Sequence, residues 1–236
     1  MERQNYIVSC YLTSGVDTQR GIQTAKDKRD YMQTWYDSVI RLGVTPVVIN
    51  DGLSNLFKKS FSKALFVDCE PLPSGMQIYD YRWVLYYEFM LNNYCDAVFF
   101  TDISDVVLVR DCFYEMEADT LYCGDETETL SQCEWMQKSL RSNNLVTLEG
   151  FEDIIRSDRQ VLNCGIVGGT RDIVGNFLYL LVSLIEKVRF REVDGTVDMA
   201  IFNYIAYSYF SFKHGQPVNS IFKQYQERND VWFIHK

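Results

Sequence analysis

The chain has 236 residues, of which 47% are hydrophobic, and this size and composition suit one domain with a sizeable core. Its 32 acidic residues against 23 basic ones give a formal charge of −9, which repels polyanions and disfavours nucleic-acid or anionic-membrane partners. The seven cysteines form no CxxC pair and no cluster with histidine, so we expect reduced thiols rather than a disulfide framework or a zinc site.

The predicted elements alternate between strand and helix. Runs rich in β-branched and aromatic residues predict strands at 6–12, 45–50, 64–68, 97–101, 161–170 and 231–235. Apolar residues that recur every three or four positions predict helices at 29–43, 79–93, 171–187 and 196–210. This alternation is typical of an α/β domain with a mostly parallel sheet, in which ligands bind beyond the carboxyl ends of the strands.

Two apolar segments are long enough to be considered for membrane targeting. The N-terminal segment MERQNYIVSCYL has too short an apolar core for a signal peptide, and the run at 177–185 is well short of a membrane span. We therefore expect a cytoplasmic protein without a membrane span.

Two aspartates interrupt the apolar stretch AVFFTDISDVVLV at residues 97–109. Asp102 directly follows the predicted strand 97–101, and Asp105 comes three residues later. Aspartate oxygens can cap a turn by accepting backbone N–H groups. Two carboxylates in one turn also repel each other unless a cation lies between them, and Mg²⁺ and Mn²⁺ favour oxygen ligands. The pattern therefore predicts either turn caps or a divalent-cation site.

Other motifs of nucleotide-binding and hydrolytic enzymes are absent from the sequence. It contains no GxxxxGK[ST], no GxGxxG after a strand, no GxSxG and no HExxH. The spacing of Asp102 and Asp105 also differs from the DxDx[TV] pattern of phosphohydrolases, whose acidic pair is two residues apart and normally lies on the first strand.

Six segments, in chain order, carry a resemblance to a known family: YLTSGVDTQRG (11–21), DYRWVLYYEFML (80–91), FFTDISDVVL (99–108), LNCGIVGG (162–169), VDMAIFNYI (197–205) and FIHK (233–236). Together they resemble the nucleotide-sugar-dependent glycosyltransferases of the GT-A fold, and most closely a small branch with chlorovirus-type viral members. The metal motif of that family, usually written DxD, ends a central strand after an amphipathic helix. FFTDISDVVL is similar to a variant with one extra residue.

The resemblance implies a metal site. Asp105 would ligate the ion directly, and Asp102 would ligate it, directly or through water, or bind ribose or sugar hydroxyls. His235 would be a further ligand, and its imidazole favours Mn²⁺ over Mg²⁺. The alternative for His235 is packing against its aromatic neighbours, and His214 is expected in a surface turn.

The resemblance also implies contacts with a nucleotide. Tyr11 and Thr13 would stack on and hydrogen-bond the base, Asp17 and Arg20 lie in the loop expected near the nucleotide, and Arg82 would donate to its phosphates. Core packing is the alternative for Tyr11, and a solvated side chain is the alternative for each arginine.

Residues from two later segments would contact the sugar. Asn163 would hydrogen-bond the sugar beside the close backbone of Gly165, and two further glycines, Gly168 and Gly169, could equally be ordinary turn residues. Asp198 would take the acceptor proton in an inverting enzyme or position the donor sugar in a retaining one. The alternative for Asp198 is a first-turn helix acid.

Two other acids, Asp172 and Asp194, are weaker candidates for the catalytic base. The resemblance as a whole implies one GT-A-like domain over 1–236, with a nucleotide-binding half at 1–105 and a sugar and acceptor half at 106–236. It implies transfer of a hexose or pentose from a nucleotide sugar, a UDP-sugar rather than a GDP-sugar, to a glycan hydroxyl with Mn²⁺ or Mg²⁺. By analogy with the viral members, the glycan would belong to a capsid and the enzyme would act in the host cytoplasm. Further domains beyond residue 236 remain open.

Two other functions remain open. A nucleotide-sugar nucleotidyltransferase would usually carry a basic, glycine-rich loop after its first strand, whereas YLTSGVDTQRG has one basic residue. A non-catalytic domain that binds a nucleotide sugar or a glycan would keep the fold without the chemistry.

Overall fold

The structure, a computed structural model, describes residues 3–17, 21–140, 145, 147–189, 197–221 and 230–235. In chain order its strands are β1 Asn5–Tyr11, β2 Val16–Asp17, β3 Ile22–Gln23, β4 Thr45–Asn50, β5 Leu65–Asp68, β6 Ala97–Thr101, β7 Val106–Leu108, β8 Leu121–Thr129, β9 Gln160–Thr170, β10 Phe212–Lys213, β11 Asn219–Ile221 and β12 Phe233–His235. Within these ranges, seven strands form the main sheet in the spatial order β10-β8-β9-β6-β1-β4-β5.

The main sheet is mostly parallel. Of its six pairings among described strands, four are parallel (β5 with β4, β4 with β1, β1 with β6, and β8 with β10). β9 runs antiparallel to both β6 and β8. The carboxyl ends of β1, β4 and β6 therefore meet at one edge of the sheet, which is the edge where ligands bind in sheets of this kind.

Helices cover both faces of this sheet. The described helices are α1 Gln33–Arg41, α2 Asn55–Ser60, α3 Ile78–Asn92, α4 Glu134–Ser139, α5 Phe151–Ile155, α6 Arg171–Arg189 and α7 Asp198–Tyr209, and a 3₁₀ turn covers Arg29–Tyr31. Alternate residues of β6 face opposite cores, because side chains alternate along a strand. Phe100 packs in the core under α3, α6 and α7, whereas Phe99 packs in the core under α1 and β12.

A second, three-stranded sheet lies beside the end of β6. Its order is β11-β12-β7, with β12 antiparallel to β7 and parallel to β11. Because β7 follows β6 after a four-residue turn, this small sheet brings the C-terminal strand against that turn.

The predicted α/β domain with a mostly parallel sheet is confirmed. The predicted strands at 45–50 and 97–101 coincide with β4 and β6, whereas the sequence analysis did not predict β8, which lies inside the main sheet. The division into halves at residue 105 stays a prediction. Among the described helices, none is both long and apolar enough to cross a lipid bilayer.

Candidate functional site

A cavity of about 380 Å³ opens at the sheet edge where β1 and β6 end. Volumes of about 300–1,000 Å³ are usual for sites that hold small molecules. The cavity is lined by Cys10, Leu12, Thr24, Tyr31, Ile78, Tyr79, Arg82, Tyr86, Thr101, Asp102, Ile103, Ser104, Asp105, Glu126 and His235. Both aspartates of the sequence pattern are in this set.

The turn between β6 and β7 carries the two aspartates into the cavity. Asp102 directly follows β6, and its backbone N–H donates to the carbonyl oxygen of Gly165 at 3.0 Å. Ile103 is 4% exposed and belongs to the core under α1. This buried side chain anchors the turn, while both carboxylates line the cavity.

The small sheet brings His235 to the aspartates. In the β7–β12 pairing His235 lies opposite Val106, the residue that follows Asp105. One potential ligand atom from each of Asp102, Asp105 and His235 lies within 4.8 Å of the others, and His235 Nε2 is 3.9 Å from Asp102 Oδ2. The three residues that the sequence analysis assigned to a metal are thus one cluster.

Gly165 on β9 leaves the space in which two of these side chains meet. A Cβ atom built on Gly165 would lie 2.4 Å from His235 Cε1, 2.8 Å from His235 Nε2 and 3.0 Å from Asp102 Oδ2. The first two of these distances are shorter than any normal contact, so a side chain at this position would displace the imidazole. Position 165 therefore requires glycine, because the backbone lies too close to His235 for a side chain to fit between them.

A buried polar network fixes the strand end that carries Asp102. Ser9 Oγ donates to the carbonyl oxygen of Thr101, and Trp35 Nε1 donates to Thr101 Oγ1 at 2.9 Å. Ser9 and Thr101 are 0% and 2% exposed. Satisfied hydrogen bonds in such surroundings hold one geometry, which places Asp102 on a rigid support.

Arg82 on α3 connects two acidic residues of different elements. Its Nη1 donates to Asp102 Oδ1 at 2.7 Å, and its Nη2 donates to Asp198 Oδ2 at 3.2 Å. Burial opposes the charge of this guanidinium, but the carboxylates of Asp102 and Asp198 outweigh burial and raise the pKa of Arg82 above its usual value. Arg82 is therefore a fixed positive charge in the cavity.

Asp198 begins α7 behind this guanidinium. It is 4% exposed, and its Oδ2 also accepts a hydrogen bond from Trp83 Nε1 at 3.3 Å. Buried charges are stable only when they are paired and hydrogen-bonded, and Asp198 meets both conditions. These contacts join α3, α7 and the acidic turn.

The chemistry of the cluster fits a divalent cation. Carboxylates suit Mg²⁺ and Mn²⁺, and imidazole is a ligand of transition metals. Asp102 uses Oδ1 for Arg82 while its Oδ2 is on the side of His235, and the bare backbone of Gly165 leaves room beside both. Asp102, Asp105 and His235 can therefore hold one ion between them.

No protein-family model matches the sequence, and a search of curated proteins finds no relative. Solved structures nevertheless share the architecture of the chain. An active-site mutant of LgtC matches with a TM-score of 0.57 and 13% identity, over 98% of this chain and 86% of that one. Galactosyltransferase LgtC in complex with donor and acceptor sugar analogs matches with a TM-score of 0.56 and 15% identity, over 98% and 86%. LgtC is a glycosyltransferase with the GT-A fold. This chain has the GT-A fold.

The comparison therefore confirms the fold class that the sequence resemblance implied. At such low identity the likeness carries the architecture alone, since one fold supports many activities. The viral branch of the resemblance stays a prediction, and so does each residue role within the GT-A fold.

The residues predicted around the nucleotide are only partly brought together. Tyr11 is fully buried, and its hydroxyl donates to the carbonyl oxygen of Ala25 at 2.8 Å and accepts from Lys28 N–H at 2.9 Å. It is therefore placed behind the cavity lining. Thr13 lines a neighbouring, shallower cavity, which shares Thr24 with the first.

Asp17 and Arg20 are the other residues predicted near the nucleotide in the segment that follows β1. The backbone of Asp17 pairs with that of Ile22 in a short antiparallel ribbon. Arg20 lies outside the described residues, as does Asp194. Their predicted roles stay predictions.

The predicted sugar-contacting segment lies on β9. Asn163 is 3% exposed, its Nδ2 donates to the carbonyl oxygen of Asp125 at 3.0 Å, and its Oδ1 accepts from Gly165 N–H at 3.0 Å. The side chain thus ties β9 to β8 and shapes the backbone at Gly165. Gly168 faces the Phe99 ring, and Gly169 has a φ of +153°.

Sequence reasoning missed several residues that line the cavity, among them Glu126, Tyr31 and Tyr79. Glu126 comes from the unpredicted strand β8. Burial raises the pKa of Glu126 above its usual value; the adjacent His235 opposes this shift, whereas nearby carboxylates such as Asp125 reinforce it. Tyr31 and Tyr79 supply the aromatic rings that Tyr11 was predicted to supply. The predicted helix at 79–93 places Tyr79 one turn before Arg82 and on the same helix face, and this spacing could have identified Tyr79.

His214 is exposed at the surface, as predicted, and its imidazole also contacts a buried partner. It directly follows β10, and its Nδ1 is 2.9 Å from Oδ2 of Asp125, which is 5% exposed. This contact links β10 and β8 outside the cavity lining. Asp172, the other weak candidate for the base, is exposed in the first turn of α6.

Proposed function

We propose that the protein is a metal-dependent glycosyltransferase that moves a sugar from a nucleotide-sugar donor to a hydroxyl group of a glycan. The observation that carries the proposal is the cluster of Asp102, Asp105 and His235 in the cavity at the carboxyl edge of the GT-A sheet. Turn capping alone would not require the histidine, which reaches the cluster from the far end of the chain.

The charges of the site favour a nucleoside diphosphate as the leaving group. A bound divalent cation would stabilise the negative charge that develops on that group as the sugar departs. Without a cation, Asp102, Asp105 and the neighbouring Glu126 would repel a diphosphate, since Arg82 is already bonded to two carboxylates. Binding of the donor should therefore depend on metal.

The aromatic side chains of the cavity favour a nucleoside near α3. Tyr31 and Tyr79 line the cavity and can pack against a base or ribose, and Ser104 and Thr24 offer hydroxyl groups. We propose a UDP-sugar as the donor and Mn²⁺ as the ion, the latter because His235 supplies a nitrogen ligand. The transfer of a hexose or pentose to a viral capsid glycan in the host cytoplasm rests on the sequence resemblance.

Asp198 has two proposed roles, and its contacts favour one of them. A general base must reach the acceptor hydroxyl, whereas Asp198 is buried and its Oδ2 is bonded to Arg82 and Trp83. We therefore propose Asp198 as a positioning residue that holds Arg82 against Asp102. The sequence resemblance implies a different task in a retaining enzyme, in which Asp198 would position the donor sugar itself.

A donor panel tests the proposal. UDP, GDP, CMP and their sugars are incubated with the protein, with Mn²⁺ or with EDTA, and both the melting temperature and the release of nucleotide are followed. We expect one nucleotide class to raise the melting temperature only with Mn²⁺, and its sugar to be turned over. Asp105→Ala should lose both effects, whereas Asp172→Asn, an exposed acid outside the cavity, should keep them.

Each alternative function gives a different outcome. A nucleotidyltransferase would release pyrophosphate from UTP and a sugar 1-phosphate, and a non-catalytic domain would bind a nucleotide sugar without releasing nucleotide under any condition. The absence of a shift with every nucleotide would contradict the transferase proposal and return Asp102 and Asp105 to turn capping.

A further inference from the structure

A second and larger cavity, which we call the basal cleft, lies at the opposite edge of the sheet. It has a volume of about 1080 Å³ and lies where β1, β4 and β6 begin. Its lining includes Asn5, Tyr94, Asp96, Asp111 and Tyr114. Strands of five to seven residues at about 3.3 Å per residue place it roughly 20 Å from the acidic cluster.

Two tyrosines present their rings at this cleft. Tyr114 is 86% exposed and Tyr94 is 64% exposed. The Arg171 guanidinium lies 5.7 Å from the Tyr94 ring centroid and donates to the carbonyl oxygens of Asn93 and Met90, which fixes it beneath the ring. The Tyr94 ring is thus held in place, and exposed aromatic rings are usual at binding surfaces, because they offer a large apolar face at little cost in side-chain entropy.

The polar groups beside these rings include the donor Arg3 and two carboxylates, which are hydrogen-bond acceptors. Asp96 accepts from Gln4 N–H at 2.8 Å and from the Tyr94 hydroxyl at 3.0 Å, and these two bonds lower the pKa of Asp96 below its usual value. A carboxylate has about four acceptor positions, so two remain on Asp96 for a ligand. Asp111 also lines the cleft, and its Oδ1 accepts a hydrogen bond from Phe113 N–H at 2.8 Å.

Asn5 adds an acceptor that is already desolvated. Its Oδ1 is buried and accepts no hydrogen bond from any residue in the described ranges. Buried polar atoms normally have a partner, so this oxygen is suited to a donor supplied by a ligand.

We propose that the basal cleft binds a neutral oligosaccharide. Sugar rings present C–H faces that pack on tyrosine, and their hydroxyl groups donate to carboxylate and amide oxygens. Arg3 also lines the cleft, but the two carboxylates of Asp96 and Asp111 outnumber it, and in a chain of charge −9 they disfavour an acidic saccharide. The volume of about 1080 Å³ slightly exceeds the usual range for small-molecule sites, which suits several linked sugars.

The cleft would give the protein a second binding site for a glycan. Its distance from the acidic cluster means that a saccharide bound there leaves the first cavity open. The view that it anchors a remote part of the acceptor rests on the proposed function, whereas binding itself does not. The test is therefore made without metal and without nucleotide.

Isothermal titration in EDTA uses maltohexaose, cellohexaose and mannohexaose as neutral probes, with hexagalacturonate and a polyproline peptide as competing classes. We expect at least one neutral hexasaccharide to bind, and Tyr114→Ala to weaken it by about tenfold or more. Tyr114 is so exposed that its removal should leave folding intact. Tyr179→Ala removes another exposed tyrosine, which is 56% exposed on α6, and should leave binding unchanged.

Three results would overturn the assignment: no neutral hexasaccharide binds, Tyr114→Ala binds as tightly as the parent protein, or only hexagalacturonate or the peptide binds. The result is independent of the donor panel. If the protein turns over a nucleotide sugar but binds no neutral hexasaccharide, the proposed function stands and the basal site is rejected. If it binds a neutral hexasaccharide but turns over no nucleotide sugar, the basal site stands and the proposed function is rejected.

Discussion

Gly165 is the residue whose size most directly limits the candidate metal site. In Gly165→Ala the new Cβ would lie 2.4 Å from His235 Cε1 and 3.0 Å from Asp102 Oδ2, so the imidazole must move and the arrangement of these two side chains must change. We expect the affinity for Mn²⁺ to fall by about tenfold or more, as it does when the support of a metal ligand is lost. Titration of the purified variant with Mn²⁺ in the presence of UDP measures this.

Gly175→Ala is the matched control for that experiment. Gly175 lies within α6, and a Cβ there would meet no atom within 4 Å. Alanine is also the better helix former, so this variant should be as stable as the parent or more so. Equal Mn²⁺ affinities for the two alanine variants would contradict the account of Gly165.

Asp198 distinguishes a positioning role from a catalytic base. In Asp198→Asn the charge that holds Arg82 is lost, so we expect kcat/KM for the donor to fall by about a hundredfold as Arg82 and Asp102 shift. The shape of the pH–rate profile should stay the same. If instead the acid limb of the profile disappears, Asp198 titrates during catalysis and is the base.

At the scale of elements, Asp51 organises the loop that follows β1. It directly follows β4 and accepts bonds from Thr13 N–H at 2.7 Å and Ser14 N–H at 2.9 Å, as well as from both hydroxyl groups. Burial raises the pKa of Asp51, but these hydrogen bonds outweigh burial and lower it below its usual value. The parallel pairing of β1 and β4 brings these strand ends together.

The lowered pKa of Asp51 makes the free energy of unfolding depend on pH. Because the folded-state pKa is below the unfolded one, the carboxylate contributes its full stabilisation above the unfolded value and loses it as the pH falls through the folded value. Asp51→Asn should therefore cost about 1–3 kcal/mol at pH 7 and progressively less below pH ~4. Urea unfolding of both proteins from about pH 3 to pH 7 measures the difference, and a constant difference would contradict this origin.

The strand β6 and its acidic turn could be predicted because their signals are local. An apolar run that ends at Asp102 indicates a strand end, and its place in an alternating pattern indicates the binding edge. The strand β8 could not be predicted in this way. Its sequence LYCGDETET contains a glycine and three acidic residues within a short run, and its burial is fixed by pairing with β9.

Contacts between segments that are distant in the chain also could not be predicted from residue patterns. The position of His235 beside Asp105 depends on the pairing of β12 with β7, and only the family resemblance suggested it. The burial of Tyr11 and the exposure of Tyr31 to the cavity depend on how the loop after β1 folds back. An alternating pattern predicts that a side chain lies near a site, whereas its direction is set by tertiary packing.

At the scale of the whole molecule, the GT-A sheet carries different sets of side chains at its two opposite edges. The carboxyl edge gathers Asp102, Asp105 and His235 around Arg82, and the opposite edge presents Tyr94 and Tyr114. In a chain of charge −9, an anionic ligand such as a nucleotide needs a local positive charge, and Arg82 is already paired. We therefore expect the acidic cluster and a cation to bind the nucleotide together.

Isothermal titration of UDP tests that claim most directly, with the parent protein and Asp105→Ala each measured in Mn²⁺ and in EDTA. We expect Mn²⁺ to tighten UDP binding to the parent by about tenfold or more and to have little effect on the variant. UDP binding that is equally tight in EDTA, or a variant that keeps the full effect of Mn²⁺, would contradict this expectation.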